Sequence, residues 1–120
     1  MLFRSVEQAL NNARALAFPS LWYETYGLVV TEAAARGVPS IVSDVSAAAE
    51  RIRHGVSGWI FESGNVEALA DCLRSTSDVT AVRAIGARAY EDHWSAPSDP
   101  PRHVADLVAI YERTLAASRA

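Results

Sequence analysis

Residues 15–43 read ALAFPSLWYETYGLVVTEAAARGVPSIVS, and this run decides the fold. Ala15-Leu16-Ala17-Phe18 is a short, continuous apolar stretch stopped by Pro19-Ser20, the pattern of a buried strand that feeds a loop. Beyond the loop, a helix is predicted from about Gly27 to Arg36, closed by Gly37 as a left-handed cap with Pro39 after it. Ser40-Ile41-Val42-Ser43 then repeats the apolar signature. Strand, helix and strand in this order indicate a right-handed βαβ unit and therefore a parallel sheet.

The pattern extends in both directions. Ahead of it, Val6, Ala9, Leu10 and Ala13 fall at helical spacing, which predicts a short helix from Ser5 to Arg14. Behind it, a helix is expected over Ala47 to Arg53, closed by His54-Gly55, and a third strand over Gly58-Trp59-Ile60-Phe61 with Trp59 in the core. After this strand only helices are expected. Asn65 caps one whose apolar set is Val66, Leu69, Ala70 and Leu73. Asp78 caps the next, with Val79, Val82, Ile85 and Ala89 on one face and Trp94 near its end. The segment Ala96-Pro97-Ser98-Asp99-Pro100-Pro101 is a rigid break, and Asp99 before prolines starts a last helix carrying Val104, Leu107, Val108, Tyr111 and Leu115.

Composition narrows the function classes. The 120 residues are 50% hydrophobic and 21% charged, the profile of one globular domain. A net charge of −3 and a pI near 5.5 leave no basic stripe for DNA or RNA. No stretch approaches the roughly 18 to 20 apolar residues of a spanning helix, and Met1-Leu2-Phe3-Arg4 lacks a signal peptide's layout, so a cytoplasmic location is expected. All 11 basic residues are arginine, which excludes a phosphate-binding or Schiff-base lysine from this chain. Cys72 is the only cysteine and sits in an apolar helical register, as a small core residue does. His54, His93 and His103 have no ligand spacing, and no metal site is expected.

The chemistry lies between the first strand and its helix. In an open α/β sheet, ligands bind outside the carboxyl ends of the strands, where a helix N-terminus offers unpaired N–H groups to a phosphate. Gly27 lets the backbone approach a ligand closely, so the amides of Gly27 and Leu28 are candidate phosphate donors. Glu24 precedes the helix, and Glu32 lies about five residues inside it, roughly 7.5 Å along the axis. Ionised carboxylates only accept hydrogen bonds, so beside a phosphate they suit the paired hydroxyls of sugars. Read without that context, Glu24 and Glu32 are a loop acid and a helix-surface acid. Trp22, Tyr23 and Tyr26 are expected mainly as packing residues, with stacking on a base or sugar as their other role.

Glu24-Thr25-Tyr26-Gly27-Leu28-Val29-Val30-Thr31-Glu32 resembles the E-x7-E signature of retaining GT-B glycosyltransferases of the family-4 type. Pro19-Ser20 precedes it, and Glu32-Ala33-Ala34-Ala35-Arg36-Gly37-Val38-Pro39 follows. Ile41-Val42-Ser43, Glu50, Gly55-Val56-Ser57-Gly58-Trp59-Ile60 and Asn65-Val66-Glu67-Ala68-Leu69-Ala70 are similar to the family's later landmarks in the same order. The resemblance implies a hexosyltransferase that uses a nucleotide-diphosphate sugar, retains configuration and needs no cofactor. It assigns donor-sugar contact and the catalytic role to Glu24, ribose contact to Glu32, and diphosphate contact to the amides of Tyr26, Gly27 and Leu28.

Under that resemblance, the fold class is α/β: an incomplete Rossmann-like half-domain with about three parallel strands flanked by helices and a helical C-terminal segment. Residues 1–120 form a single partial domain, with 1–75 as the donor-binding part and 76–120 as the C-terminal helices. Three strands, the basic residues that relatives use on the diphosphate, and the acceptor domain are expected outside this chain, supplied by a missing N-terminal region or a partner chain. Alone, the chain is expected to be inactive. Ser46 and Ala47 stand where the family has a glycine pair, which puts side chains close to the donor. The strand Ala15 to Phe18 is expected at an open edge, suggesting a homodimer through it. The final helix is expected to fold back on the sheet or exchange between chains. One rival reading is a non-catalytic binding or oligomerisation module; a flavodoxin-like regulatory domain is disfavoured because only Asp44 would serve its acidic pocket.

Overall fold

The computed structural model describes residues 2–97 and 99–118, with backbone only for residues 2–5. Its centre is a three-stranded sheet: β1 (Leu16–Phe18), β2 (Ser40–Ser43) and β3 (Gly58–Phe61), in the order β1-β2-β3 with both pairings parallel. Around it lie α1 (Leu2–Asn12), α2 (Leu28–Ala34), the 3₁₀ helix η1 (Ala47–Arg51), α3 (Val66–Ser75), α4 (Val79–Ser95) and α5 (Pro100–Ser118). The α/β half-domain read from the sequence is therefore the observed one.

Alternation along the strands divides the core into two layers. Register pairs Ile41 with Trp59 and Val42 with Ile60. Ile41, Trp59 and Phe61 meet Cys72 and Val82 beneath α3 and α4, whereas Val42 meets Val30 and Ala48 with Leu16, Phe18 and Ile60 beneath α2 and η1. A smaller cluster of Leu10, Ala33 and Val38, with Ala13 and Leu16, seats α1. Trp59 is in the core, as expected, and so is Cys72, whose burial, with Asp71 beside it, raises the thiol pKa above its ordinary value.

Helix ends follow the capping chemistry of the sequence. The Asn65 side chain accepts from the Ala68 amide, the Asp78 carboxylate from Thr80 and Ala81, and the Asp99 carboxylate from Arg102. Gly37 takes φ 71°, as its expected role as a left-handed cap requires. Gly86 serves a different purpose: it allows α4 to cross the turn after α2, because a Cβ there would lie 2.2 Å from the Gly37 carbonyl oxygen. Trp94 Nε1 donates to the Ala35 carbonyl and Arg53 forms a two-pronged pair with Asp92, so α4 reaches around to the layer of α2.

Four expectations are corrected. The helix expected over Ala47 to Arg53 is a 3₁₀ turn ending at Arg51, because Ile52 is already extended and the connection must return to β3. The first helix spans Leu2–Asn12 rather than Ser5 to Arg14. On α3 the buried side is Cys72 with Ala68 and Leu69; Val66 and Leu73 face solvent, although they satisfy the same spacing. Finally, of the two dispositions expected for the last helix, folding back on the sheet is not observed: every residue of α5 from Pro100 to Ser118 is exposed.

Candidate functional site

The loop from Pro19 to Gly27 leaves the carboxyl end of β1 and enters α2. Local chemistry shapes it. The Ser20 hydroxyl accepts from the Trp22 amide, forming a tight serine turn, and Glu24 N–H donates to the Trp22 carbonyl. The buried Ser43 hydroxyl at the end of β2 donates to the Ser20 carbonyl at 2.6 Å. Farther along, the Ala47 amide donates to the Glu24 carbonyl at 3.2 Å. Arg51 donates to the Tyr26 carbonyl and lays its guanidinium 4.2 Å from the centre of the Tyr26 ring. The second β–α connection thus holds the first along its length.

Gly27 is buried at the N-cap of α2 with φ 74° and ψ 59°. Its lack of a side chain has two uses. An L-residue is strained in this region, and a Cβ here would stand 3.1 Å from the Cβ of Ala48. Among the described residues no side chain caps the first turn of α2, so the amides of Leu28 and Val29 ahead of Val30 are open to an acceptor. Leu28, the first helical residue, is exposed.

Glu24 is exposed in the loop and Glu32 is partly buried on α2, so the glycine lies between them in the chain. Among the described residues, no hydrogen bond or ion pair engages either carboxylate. The nearest arginine in the chain, Arg36, donates instead to the Glu32 backbone carbonyl and to the Glu7 carboxylate at 2.8 Å. Trp22 and Tyr23, expected mainly as packing residues, are 80% and 87% exposed, while Tyr26 is half-buried under Arg51.

Ser46 and Ala47, at the places of the family's glycine pair, lie in the turn that enters η1. Ser46 is buried, and its hydroxyl points to the Ser43 carbonyl at 3.1 Å. The Ala47 amide is spent on Glu24. Arg51 is the residue that sequence reasoning missed. It lies 25 positions from Tyr26, and no local spacing connects them; only the parallel β1-β2-β3 order brings η1 against the loop.

Behind Tyr26 and Arg51 is a cavity of about 260 Å³ between α2, η1 and α4, bordered by Val30, Thr31, Ser40 and Ile52. Among the described residues, the buried hydroxyls of Thr31 and Ser40 have no hydrogen-bond partner. Among the described residues, no group of three or more His, Cys, Asp or Glu could hold a metal, and no helix is long and apolar enough to cross a membrane.

Residues 2–86 match the family described as Glycosyl transferases group 1. A phosphatidyl-myo-inositol mannosyltransferase of Mycobacterium leprae is 33% identical over 106 residues, covering 84% of this chain and 28% of that protein. Among solved structures, a sucrose-phosphate synthase from Thermosynechococcus elongatus superposes with a TM-score of 0.72 at 26% identity, over 88% of this chain and 26% of that one. HepE of Anabaena in complex with UDP-glucose shares the fold with a TM-score of 0.69 at 24% identity, over 74% of this chain and 25% of that one. The chain spans about a quarter of the length of these proteins. With its strands, its loop and its first four helices inside the matched region or continuous with it, the chain belongs to the glycosyl transferases group 1 family.

Proposed function

We propose that this chain carries the donor-binding part of a hexosyltransferase that takes a sugar from a nucleotide-diphosphate sugar with retention of configuration. Glu24 and Glu32 are its E-x7-E pair. Glu24 contacts the donor sugar at the reacting carbon, Glu32 accepts from the ribose hydroxyls, and the amides of Tyr26, Gly27 and Leu28 face the diphosphate. The observation that carries this reading is Gly27: it sits left-handed and without a side chain at the head of α2, in a loop flanked by two acids whose carboxylates no other described residue engages. A free acceptor pair around open donors is the arrangement a sugar nucleotide needs.

The basic residues and acceptor surface belong to parts of the enzyme outside this chain, and we assign the whole enzyme to the cytoplasm. Two carboxylates oppose a diphosphate, and helix-end amides offset this by only about 0.3–2 kcal/mol. The chain alone is therefore a weak donor binder with little or no activity. The outer edge of β1 has no ladder partner among the described residues, and we assign it to a homodimer contact in the isolated chain. A monomeric mass by light scattering across micromolar concentrations would remove that contact.

The test is an NMR titration of the chain with UDP-glucose, compared with Glu32→Ala. Millimolar binding that weakens about tenfold or more in the variant is expected, as losing a charged acceptor costs roughly 1.5–3 kcal/mol. Equal titration of both proteins would contradict the ribose assignment, and micromolar binding would contradict the predicted weakness.

A further inference from the structure

We infer that Arg51 is a positioning residue for Glu24: it clamps the loop that carries this acid and so governs how well the site distinguishes a sugar nucleotide from the bare nucleotide. The inference rests on the donor-site reading above and extends it to a residue outside the E-x7-E segment.

Two contacts from one guanidinium make the clamp. Arg51 donates to the Tyr26 carbonyl, which fixes the peptide plane entering Gly27, and it covers the Tyr26 ring at 4.2 Å from the centroid. A planar, delocalised cation can do both at once; a lysine offers a point charge and only one of the two geometries well. One turn earlier in η1, the Ala47 amide holds the Glu24 carbonyl. Glu24 and Tyr26 are thus tied at alternate residues to the same five-residue turn, Ala47–Arg51.

Packing does not replace this tie. Tyr26 and Arg51 border the 260 Å³ cavity, so the ring lacks a filled core behind it. Glu24, Trp22 and Tyr23 are exposed, and the segment buries no apolar side chain of its own between Leu21 and Thr25. With little burial to hold it, the loop's conformation depends on the few polar ties it makes. Arg51 makes no ion pair among the described residues, in contrast to Arg36, Arg53, Arg74, Arg88 and Arg102. Its guanidinium is committed to the loop alone.

Glu24 is assigned to the sugar and Glu32 to the ribose, so releasing the loop has an unequal effect on two ligands. UDP meets Glu32 and the amides; UDP-glucose additionally meets Glu24. The experiment titrates UDP and UDP-glucose separately into the full chain, Arg51→Met and Arg51→Lys, following backbone amides by NMR. The unaltered chain is expected to prefer UDP-glucose; Arg51→Met should weaken both ligands, because the released peptide carries the Gly27 amide, and should weaken UDP-glucose about fivefold more than UDP. Arg51→Lys is expected to recover part of the preference.

In the unaltered chain, the Arg51 side-chain methylenes should show an upfield ring-current shift that Tyr26→Leu abolishes. Absence of that shift overturns the clamp whatever the ligand data. A preference for UDP-glucose that survives in Arg51→Met, with the variant folded by its amide spectrum, also overturns it. If neither ligand binds the unaltered chain, the donor-site reading fails and the positioning role falls with it, while the ring-current result still reports whether the contact forms.

Discussion

Gly27 concentrates the demands that one residue can carry. Its φ of 74° and the 3.1 Å approach of a hypothetical Cβ to Ala48 act together. Gly27→Ala is therefore expected to lower unfolding stability by about 1–2 kcal/mol in urea titrations, the usual cost of forcing an L-residue left-handed. An unchanged midpoint would show that the loop relaxes freely. Cys72 gives a second residue-scale prediction. Burial raises its pKa from the ordinary 9.0, so the folded thiol should react with a thiol reagent at pH 8 much more slowly than the unfolded chain does. The folded pKa lies above the unfolded one, so this group's contribution is retained below about pH 9.0 and declines as pH rises past it. Trp59 and Cys72 were legible because the apolar period around each marks a buried position; Gly27 was legible as a point of close backbone approach, but its left-handed conformation was not, since the helix was expected to begin at it. Arg51 was not legible, since its partner is distant in the chain.

Among the elements, the caps were the most readable. Asp78 accepts from two amides at the start of α4, and Asn65 from one at the start of α3. Asp78→Ala is expected to cost about 1 kcal/mol, within the usual 0.5–2 kcal/mol range for a lost N-cap. The measurement is a urea melt with hydrogen exchange on Thr80 and Ala81, which should lose protection before the rest of α4. Periodicity was less reliable on α3. Val66 and Leu73 have helical spacing with Leu69, yet the sheet meets the neighbouring stripe through Ala68 and Cys72. Spacing identifies a helix and an apolar arc, but tertiary contact chooses which part of that arc is buried. The same limit explains η1. Three alanines favour a helix, but the chain has few residues in which to cross from β2 to β3, and the turn tightens.

For the whole molecule, the sheet is covered unevenly. Leu16 and Phe18 pack under α2, while Ala17 on the other side of β1 is exposed, and the main sheet contacts of α3 and α4 fall on β2 and β3. At the other end of the chain, α5 exposes Val104, Leu107, Val108, Tyr111 and Leu115 together. Most of a helix's stability in a protein comes from packing its apolar face, and α5 buries none of its described residues. Amides of α5 are accordingly expected to exchange at least about 100-fold faster than those of β2, and deleting residues 99–118 should change the stability of the remainder by less than about 1 kcal/mol. A large loss on deletion would mean that α5 packs in solution. The order of strands and helices was legible because each segment carries its own period and stop signals; the disposition of α5 was not, because its apolar stripe fits several partners equally well.

On the proposed function, two acids and the left-handed glycine between them form one donor site. The most direct measurement is a crystal structure of the chain soaked with UDP-glucose. The expected result is the diphosphate at the amides of Gly27 and Leu28, the ribose on Glu32 and the sugar on Glu24. Nucleotide bound to another face, or Glu24 and Glu32 directed to opposite surfaces, would contradict it.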